Sequence, residues 1–200
     1  MEKEKKIWFT SDTHFGHKNI IRFSNRPFTD VDHMNEELIR SWNNHVGEDD
    51  DVYHLGDFSL TSPKKTLEIL ERLNGNIHLI IGNHEKSVMK KASCREKFVW
   101  TKDKHEFYVD KQFICLLHYG MRVWNKSHHG SWHLYGHSHD SMEYTEWGRS
   151  MDVGVDSAYR ILGEYRPFSY DEIAKIMEKR EHNPVDHHLE KKLRKEGHIK

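Results

Sequence analysis

The stretch Ile77-His78-Leu79-Ile80-Ile81-Gly82-Asn83-His84-Glu85 joins a short apolar run to a cluster of polar side chains. An apolar run of this length predicts a buried strand. Gly82 predicts a tight turn where that strand stops. Asn83 and His84 would then lie at a strand end, which is where α/β proteins bind their ligands.

Four further polar clusters follow short apolar runs in the same way. They are Asp12-Thr13-His14, Gly56-Asp57, His118 and Gly136-His137-Ser138-His139. Asp, Asn and His side chains suit manganese, iron, zinc or nickel. A lone buried His is more often a packing residue than a ligand, but five clusters at five strand ends predict a metal site.

The first 85 residues alternate between strand and helix signals. This alternation is typical of an α/β domain with a mostly parallel sheet. The apolar spacing predicts strands at 7–11, 52–55 and 77–81, a helical turn at 19–23, and helices at 31–42 and 63–73.

The second half has a different pattern. It predicts a hairpin around Asp110-Lys111, further strands, and no clear crossover helix until the last helical signal. The hairpin strands are 106–109 and 113–118, the further strands are 131–135 and 150–155, and the helix is 170–179.

Length and composition exclude several classes of protein. With 200 residues the chain is expected to form one domain, residues 1–180, followed by a charged tail, 181–200. The net charge of −1 gives no overall basic field for nucleic acid. No apolar run approaches the ~20 residues of a membrane span, and the N-terminus lacks a signal-peptide pattern, so the cytoplasm is the expected location. Two cysteines predict neither a disulfide scaffold nor a cysteine-type zinc site.

The polar clusters supply enough ligands for two metal ions. The seven candidates are Asp12, His14, Asp57, Asn83, His118, His137 and His139. One bridging carboxylate would give eight protein–metal bonds and leave open positions. Two ions about 3.5–4 Å apart can clamp a phosphate and activate a water. Two carboxylates leave such a pair of dications net positive, which favours an anionic phosphate ester.

The ordered motifs Asp-x-His, Gly-Asp, Gly-Asn-His-Glu, His and Gly-His-x-His resemble those of the calcineurin-like metallophosphoesterases. The resemblance covers residues 7 to about 156. The stretch Ser11-Asp12-Thr13-His14-Phe15-Gly16-His17, with Arg26-Pro27-Phe28 after it, is similar to a small bacterial and phage subgroup. This resemblance implies a four-layer α/β/β/α sandwich of two mixed β-sheets flanked by helices.

The resemblance also implies roles for individual residues and for two divalent ions, manganese first, with iron, zinc or nickel as alternatives. Asp12, His14 and His139 would bind the first ion, and Asn83, His118 and His137 the second. Asp57 would bridge the two ions. His84 would be the catalytic general acid, protonating the leaving group while a metal-bridging hydroxide attacks phosphorus.

Two departures from the family pattern bear on function. Gly56-Asp57-Phe58-Ser59-Leu60 lacks the Asp-Arg-Gly that Ser/Thr protein phosphatases carry, which argues against a protein phosphatase. Glu85 stands where most small bacterial members have Asp. We expect Glu85 to orient its neighbours.

Three residues are candidates for contact with substrate. His17 follows Gly16 in the loop after the first strand. Arg122 and Trp124 belong to a basic, aromatic stretch that could stack a nucleobase and contact phosphate, although an ordinary packed loop is the favoured interpretation.

The leading interpretation is a phosphoesterase acting on a phosphodiester or a phosphomonoester, with a nucleotide as one candidate. The alternatives are a catalytically silent interaction scaffold of the same fold, and a nuclease, which the neutral charge disfavours. A zincin protease is excluded because no His-Glu-x-x-His occurs. The substrate, the native metals and the oligomeric state stay open.

Overall fold

Two β-sheets form the frame of the protein in the computed structural model, which describes residues 5–142, 148–181, 191 and 193–198. The first sheet has the strand order β4-β3-β2-β1-β9. Its strands are β1 (Ile7–Thr10), β2 (Asp51–His54), β3 (Asn76–Ile80), β4 (Thr101–Lys102) and β9 (Phe168–Ser169). The strands β1 to β4 run parallel, and β9 pairs antiparallel with β1.

The second sheet has the order β5-β6-β7-β8 and is also mixed. Its strands are β5 (Lys104–Val109), β6 (Gln112–Leu117), β7 (Trp132–Tyr135) and β8 (Ser150–Asp152). The first two form an antiparallel hairpin, whereas β6, β7 and β8 run parallel. The carboxyl ends of these three parallel strands can therefore meet those of the parallel strands β1 to β3 of the first sheet.

Helices follow the strands in both halves of the chain. They are α1 (Lys18–Phe23), α2 (Val31–His45), α3 (Pro63–Leu70), α4 (Lys86–Lys90), α5 (Ala92–Arg95), α6 (Val155–Leu162) and α7 (Tyr170–Glu178). The side chain of Asp30 caps α2 by accepting a hydrogen bond from the His33 amide. Ser169 and Glu172 form a reciprocal capping box at the start of α7.

Alternating side chains of the first sheet enter two hydrophobic cores. Trp8 of β1 and Leu79 of β3 pack with buried residues of α2 and α3, such as Trp42. Their neighbours Phe9 and Ile80 point the other way and meet residues of the second sheet. The second core is completed by apolar residues of β6 to β8 and of α6 and α7. This packing confirms the predicted four-layer architecture of two mixed sheets flanked by helices.

The predicted elements of the first half and the hairpin are confirmed, but the interpretation of residues 150–155 as a strand with no helix behind it is wrong. The strand ends at Asp152 and α6 begins at Val155. The valines of Val153-Gly154-Val155 suggested an extended run. Gly154 ends that run, because it is the N-cap from which α6 begins. The two-residue strands β4 and β9 were not predicted either.

The predicted tail, residues 181–200, falls largely outside the described residues, so the domain boundary stays a prediction. Within the described ranges, no helix has both the length and the apolar character that crossing a bilayer requires.

The core between the sheets generates a stability prediction. Phe9 is fully buried there, so Phe9→Ala should lower the free energy of unfolding by about 3–5 kcal/mol, through lost burial and a cavity. Urea unfolding of the variant measures this loss. Val99→Ala, at a position that is 56% exposed, is the control and should change little. A loss below about 1 kcal/mol for Phe9→Ala would show that the cavity collapses.

Candidate metal centre

The seven candidate ligands all follow carboxyl ends of parallel strands, and both sheets contribute. Asp12 and His14 follow β1, Asp57 follows β2 and Asn83 follows β3. The others follow strands of the second sheet, His118 after β6 and both His137 and His139 after β7. The carboxyl ends of the two sheets therefore converge on one place.

The first group of ligand atoms surrounds Asp12. Oδ1 of Asp12 lies 3.7 Å from Nε2 of His14 and 3.8 Å from Nε2 of His139. These separations are too long for hydrogen bonds but suit ligand atoms that bind the same metal ion. The ligand atoms of the three residues all lie within 4.8 Å of one another, a grouping that can hold a metal ion.

The second group surrounds Asp57 and is joined to the first through it. Ligand atoms of Asp57, His118 and His137 also lie within 4.8 Å of one another. Oδ1 of Asn83 is 3.1 Å from Nε2 of His118 and so belongs to this group. Oδ2 of Asp57 is 3.6 Å from Nε2 of His118 and equally 3.6 Å from Nε2 of His14. That oxygen lies between the groups, in the position expected of a bridging carboxylate.

Several of these residues adopt a backbone conformation that L-amino acids rarely use. Left-handed φ angles occur at Asp12 (56°), His14 (50°), Asp57 (55°), His137 (66°) and His139 (45°). Such residues cost conformational energy and concentrate at functional sites. The sharp turns place neighbouring side chains toward a common point immediately after each strand.

Buried polar atoms within these groups lack hydrogen-bond partners among the residues that the structure describes. They are Oδ1 of Asp12 and both ring nitrogens of His14. Leaving such atoms unsatisfied costs about 1–3 kcal/mol each. A cation between the side chains would satisfy Oδ1 of Asp12 and one nitrogen of His14 at once. The residues present therefore fit a bound metal.

Local electrostatics favour the protonation states that bind cations. Burial alone would raise the pKa of Asp12, but the neighbouring rings of His14, His139 and His118 hold it below its usual range. Burial lowers the pKa of His14 and of His137, so both rings stay neutral. A neutral imidazole and an ionised carboxylate are the forms that ligate metals.

A buried chain of side chains orients His139. Nδ1 of His139 lies 2.7 Å from Oδ2 of Asp156, which leaves Nε2 facing Asp12. Arg26 donates to both carboxylate oxygens of Asp156, at 2.8 and 2.9 Å. Burial opposes a raised pKa of His139, yet the bond to Asp156 raises it above its ordinary value. The carboxylate of Asp156 thus makes the His139 ring a more basic metal ligand.

Arg26 also supports the first ligand loop directly. Its guanidinium donates to the backbone oxygens of Asp12 at 2.7 Å and of Thr13 at 3.1 Å. The Arg26 side chain is fully buried. One Arg therefore holds both the backbone of the Asp12 loop and the carboxylate behind His139.

Two glycines are required by close approach of other groups. A Cβ at Gly82 would lie 2.5 Å from Oδ1 of Asp57, and one at Gly136 would lie 2.4 Å from Oδ2 of Asp12. Atoms do not approach that closely, so a larger residue at either position would displace a carboxylate of the site. The glycines that open the Gly-Asn-His and Gly-His-x-His motifs thus serve packing as well as turning.

Glu85 joins two of the ligand loops. Its Oε1 accepts a hydrogen bond from the amide of Phe58 and its Oε2 accepts one from the amide of Gly82, both at 2.7 Å. The side chain is almost fully buried. These contacts support the predicted orienting role, because they fix the backbone on either side of Asp57 and Asn83.

His84 and His17 lie beside the ligand groups. The amide of His84 donates to Oδ1 of Asp57 at 2.9 Å, and its Nε2 is 3.9 Å from Oδ2 of Asp57. The side chain of His84 is 38% exposed, so it can meet a bound ester. The ring of His17 lies 5.4 Å from that of His14 and 6.3 Å from that of His84, and burial lowers the pKa of His17 to about 4.

The structure does not present Trp124 for stacking. The indole is only 8% exposed, and its Nε1 donates to the hydroxyl and the carbonyl oxygen of Ser131. The base-stacking expectation for Trp124 is corrected accordingly, because its loop packs on the protein. Arg122 lies exposed in the same loop.

Sequence reasoning missed three acidic or aromatic residues of the site. Tyr119, next to His118, places its ring centroid 4.7 Å from that of His137. Asp152 accepts hydrogen bonds from Ser138, Asp140 and Gly154, and so holds the loop that carries His137 and His139. Burial raises the pKa of Asp152 to about 6. Asp156 follows the short apolar run Val153-Gly154-Val155, which is the signal that could have found it.

The Asp156 contact predicts a selective loss of metal affinity. Asp156→Asn removes the charge behind His139, so the dissociation constant of an ion in the first group should rise about 10–100-fold. Calorimetric titration with Mn²⁺ measures this change, and far-UV circular dichroism verifies folding. Asp171→Asn, at an exposed position of α7, is the matched control. Unchanged affinity in Asp156→Asn would contradict the orienting role.

The burial of Glu85 predicts a pH dependence of stability in metal-free protein. Burial raises the pKa of Glu85 to about 7, so the folded state resists losing this proton. The stabilisation is complete below the ordinary Glu pKa and is lost as the pH rises through about 7. Between about pH 5 and pH 8, the free energy of unfolding should fall by up to about 3 kcal/mol more in the natural protein than in Glu85→Gln. Chemical unfolding across pH measures both curves. The exposed Glu68→Gln should follow the natural protein, and parallel curves for Glu85→Gln would refute the prediction.

Comparison with known proteins gives one relative of nearly full length. The uncharacterized protein MJ1445 of Methanocaldococcus jannaschii is 38% identical over 182 residues, which cover 88% of this chain and 93% of MJ1445. The gene 66 protein of mycobacterium phage L5 is 40% identical over 81 residues, 39% of each chain. No protein-family model matches the chain.

A solved structure shares the fold. The protein of unknown function AQ665 from Aquifex aeolicus superposes with a TM-score of 0.67 at 24% identity, covering 86% of this chain and all of AQ665. The two mixed sheets, with ordered polar motifs at their converging strand ends, agree with the calcineurin-like fold expected from the sequence motifs. The chain belongs to the family that includes MJ1445.

Proposed function

We propose that the protein is a phosphoesterase that works with two divalent metal ions. The observation that supports this most strongly is the pair of ligand groups joined at Asp57. One carboxylate oxygen lies 3.6 Å from His14 in one group and 3.6 Å from His118 in the other. A site built for a single structural ion would need no second group at this separation.

In this proposal the two ligand groups each hold one metal ion. Asp12, His14 and His139 hold one ion, while Asn83, His118 and His137 hold the other. Asp57 serves both ions, and manganese is the first candidate, with iron, zinc and nickel as alternatives. Ions held there would neutralise phosphate oxygens and make a bound water acidic enough to attack phosphorus.

The chain's own contribution to the reaction is proton transfer at His84. When the bond from phosphorus to the leaving oxygen breaks, that oxygen takes a proton from Nε2 of His84. Water supplies the hydroxyl group that phosphorus gains. The amide bond from His84 to Asp57 keeps the ring beside the ligand groups, and its partial exposure allows an ester to reach it.

Asn83 and Glu85 support this arrangement on either side of His84. Asn83 offers an uncharged oxygen, so two carboxylates face two dications and the centre keeps a positive charge for an anionic ester. Glu85 holds the turn on which both Asn83 and His84 are carried. His17, which burial keeps neutral, can accept or donate a hydrogen bond to the ester from the side of His14.

The activity is tested by hydrolysis of bis-p-nitrophenyl phosphate and p-nitrophenyl phosphate by metal-free protein with and without added Mn²⁺. We expect hydrolysis only with metal. His84→Ala should lower kcat by about 10²–10⁴-fold for an ester with a poor leaving group, such as an alkyl alcohol. The loss should be smaller for p-nitrophenolate, because this leaving group departs without a proton.

A matched control and a rival function complete the test. His129→Ala changes an exposed His outside the ligand groups and should leave kcat unchanged. A silent interaction scaffold predicts that Mn²⁺ binds but no ester is cleaved. Equal losses of kcat for both leaving groups in His84→Ala would contradict the role of His84 as general acid.

A further inference from the structure

Two exposed aromatic rings lie beside the metal centre, one near each ligand group. Phe23 at the end of α1 is 62% exposed, and Tyr119 after β6 is 46% exposed. A ligand bound at the centre could bury part of both rings. Their positions relative to the two ligand groups define what that ligand can be.

Phe23 lies on the side of the first group. Its ring centroid is 6.4 Å from that of His17, whose own ring is 5.4 Å from that of His14. The next residue, Ser24, has its hydroxyl 3.4 Å from Nδ1 of His139. The guanidinium of Arg22 lies 5.2 Å from the centroid of the Phe23 ring, so a cation accompanies this aromatic side chain.

Tyr119 lies on the side of the second group. Its ring centroid is 4.9 Å from that of His118 and 4.7 Å from that of His137. Its hydroxyl is 3.5 Å from Oδ1 of Asn83. The aromatic ring thus lies directly against two of the proposed ligands of the second ion.

One exposed ring near each ligand group suits a diester. A phosphate at the centre would have one aromatic ring near His17 and another near His137. A monoester carries one organic substituent and can use only one of these rings, whereas a diester carries two. Nucleobases are flat groups that stack on Phe and Tyr whatever their sequence.

We propose that the substrate is a phosphodiester that links two nucleosides, with one base on Phe23 and the other on Tyr119. This inference rests on the proposed phosphoesterase function. The linkage can come from a free dinucleotide or from a single strand, since both present the same chemistry. Arg22 adds local positive charge beside Phe23, and the net charge of −1 fits a short contact better than a long duplex groove.

The test compares two diesters with Mn²⁺ present: thymidylyl-thymidine, which has two bases, and methyl p-nitrophenyl phosphate, which has none. The measured quantity is the ratio of kcat/KM for the first diester to kcat/KM for the second. Phe23→Leu and Tyr119→Leu should each lower this ratio about 5–100-fold, because each removes one stacking contact. Tyr119→Phe keeps the ring and should keep the ratio.

Two controls distinguish a failure of this inference from a failure of the proposed phosphoesterase function. Tyr108→Leu removes an exposed ring of β5, outside the ligand groups, and should leave the ratio unchanged. If no ester is cleaved with metal, the proposed function itself fails. If both diesters are cleaved and neither leucine variant changes the ratio, the dinucleoside inference is overturned while the phosphoesterase function stands.

A single-stranded dodecathymidylate distinguishes a free dinucleotide from a single strand as the source of the linkage. Preference for it over thymidylyl-thymidine supports the inference with a strand as the source, and the reverse preference supports it with a dinucleotide. Faster hydrolysis of thymidine 5′-monophosphate than of either diester would overturn it, since a monoester would then be the better substrate.

Discussion

The hydrogen bond from the His137 amide to Oδ2 of Asp12, 2.8 Å long, joins the two sheets at the point where their strand ends converge. The amide of Asp12 in turn donates to the oxygen of Gly56, which ties the loops after β1 and β2. Because one oxygen of Asp12 is used in this way, the other is left to face His14 and His139. A single carboxylate therefore links the loops of the two sheets and belongs to the candidate metal centre.

Around this contact the backbone departs from its usual conformations in a consistent manner. Five candidate ligands have left-handed φ angles, and Gly82 and Gly136 stand where a Cβ would strike a carboxylate. Each left-handed residue costs conformational energy that a residue in a regular strand or helix does not. The buried supports offset this cost, since Glu85 accepts two amide hydrogen bonds and Arg26 donates four hydrogen bonds to Asp156 and to the backbone of Asp12 and Thr13. The two hydrophobic cores pack against the strands that carry these loops.

Much of this arrangement was readable from the sequence because its signals are local. Short apolar runs followed by Asp, Asn or His marked the strand ends, and parallel strands bring such ends together. The orienting contacts were not readable in this way. Arg26 and Asp156 are 130 positions apart, so their pairing depends on how α6 packs. Trp124 looked available for a ligand because composition alone does not distinguish a buried indole from an exposed one. The sequence did not predict α6, because Val153 and Val155 fit a strand as well as a helix.

The candidate ligands belong to both sheets and extend from Asp12 to His139 in the sequence. A chain in which the sheets have separated would retain neither group, so ions would bind only the assembled form. By mass action, free ligand at 100 times its dissociation constant stabilises such a form by about 2.7 kcal/mol. The availability of the metal in the surroundings would then influence what fraction of the protein is folded.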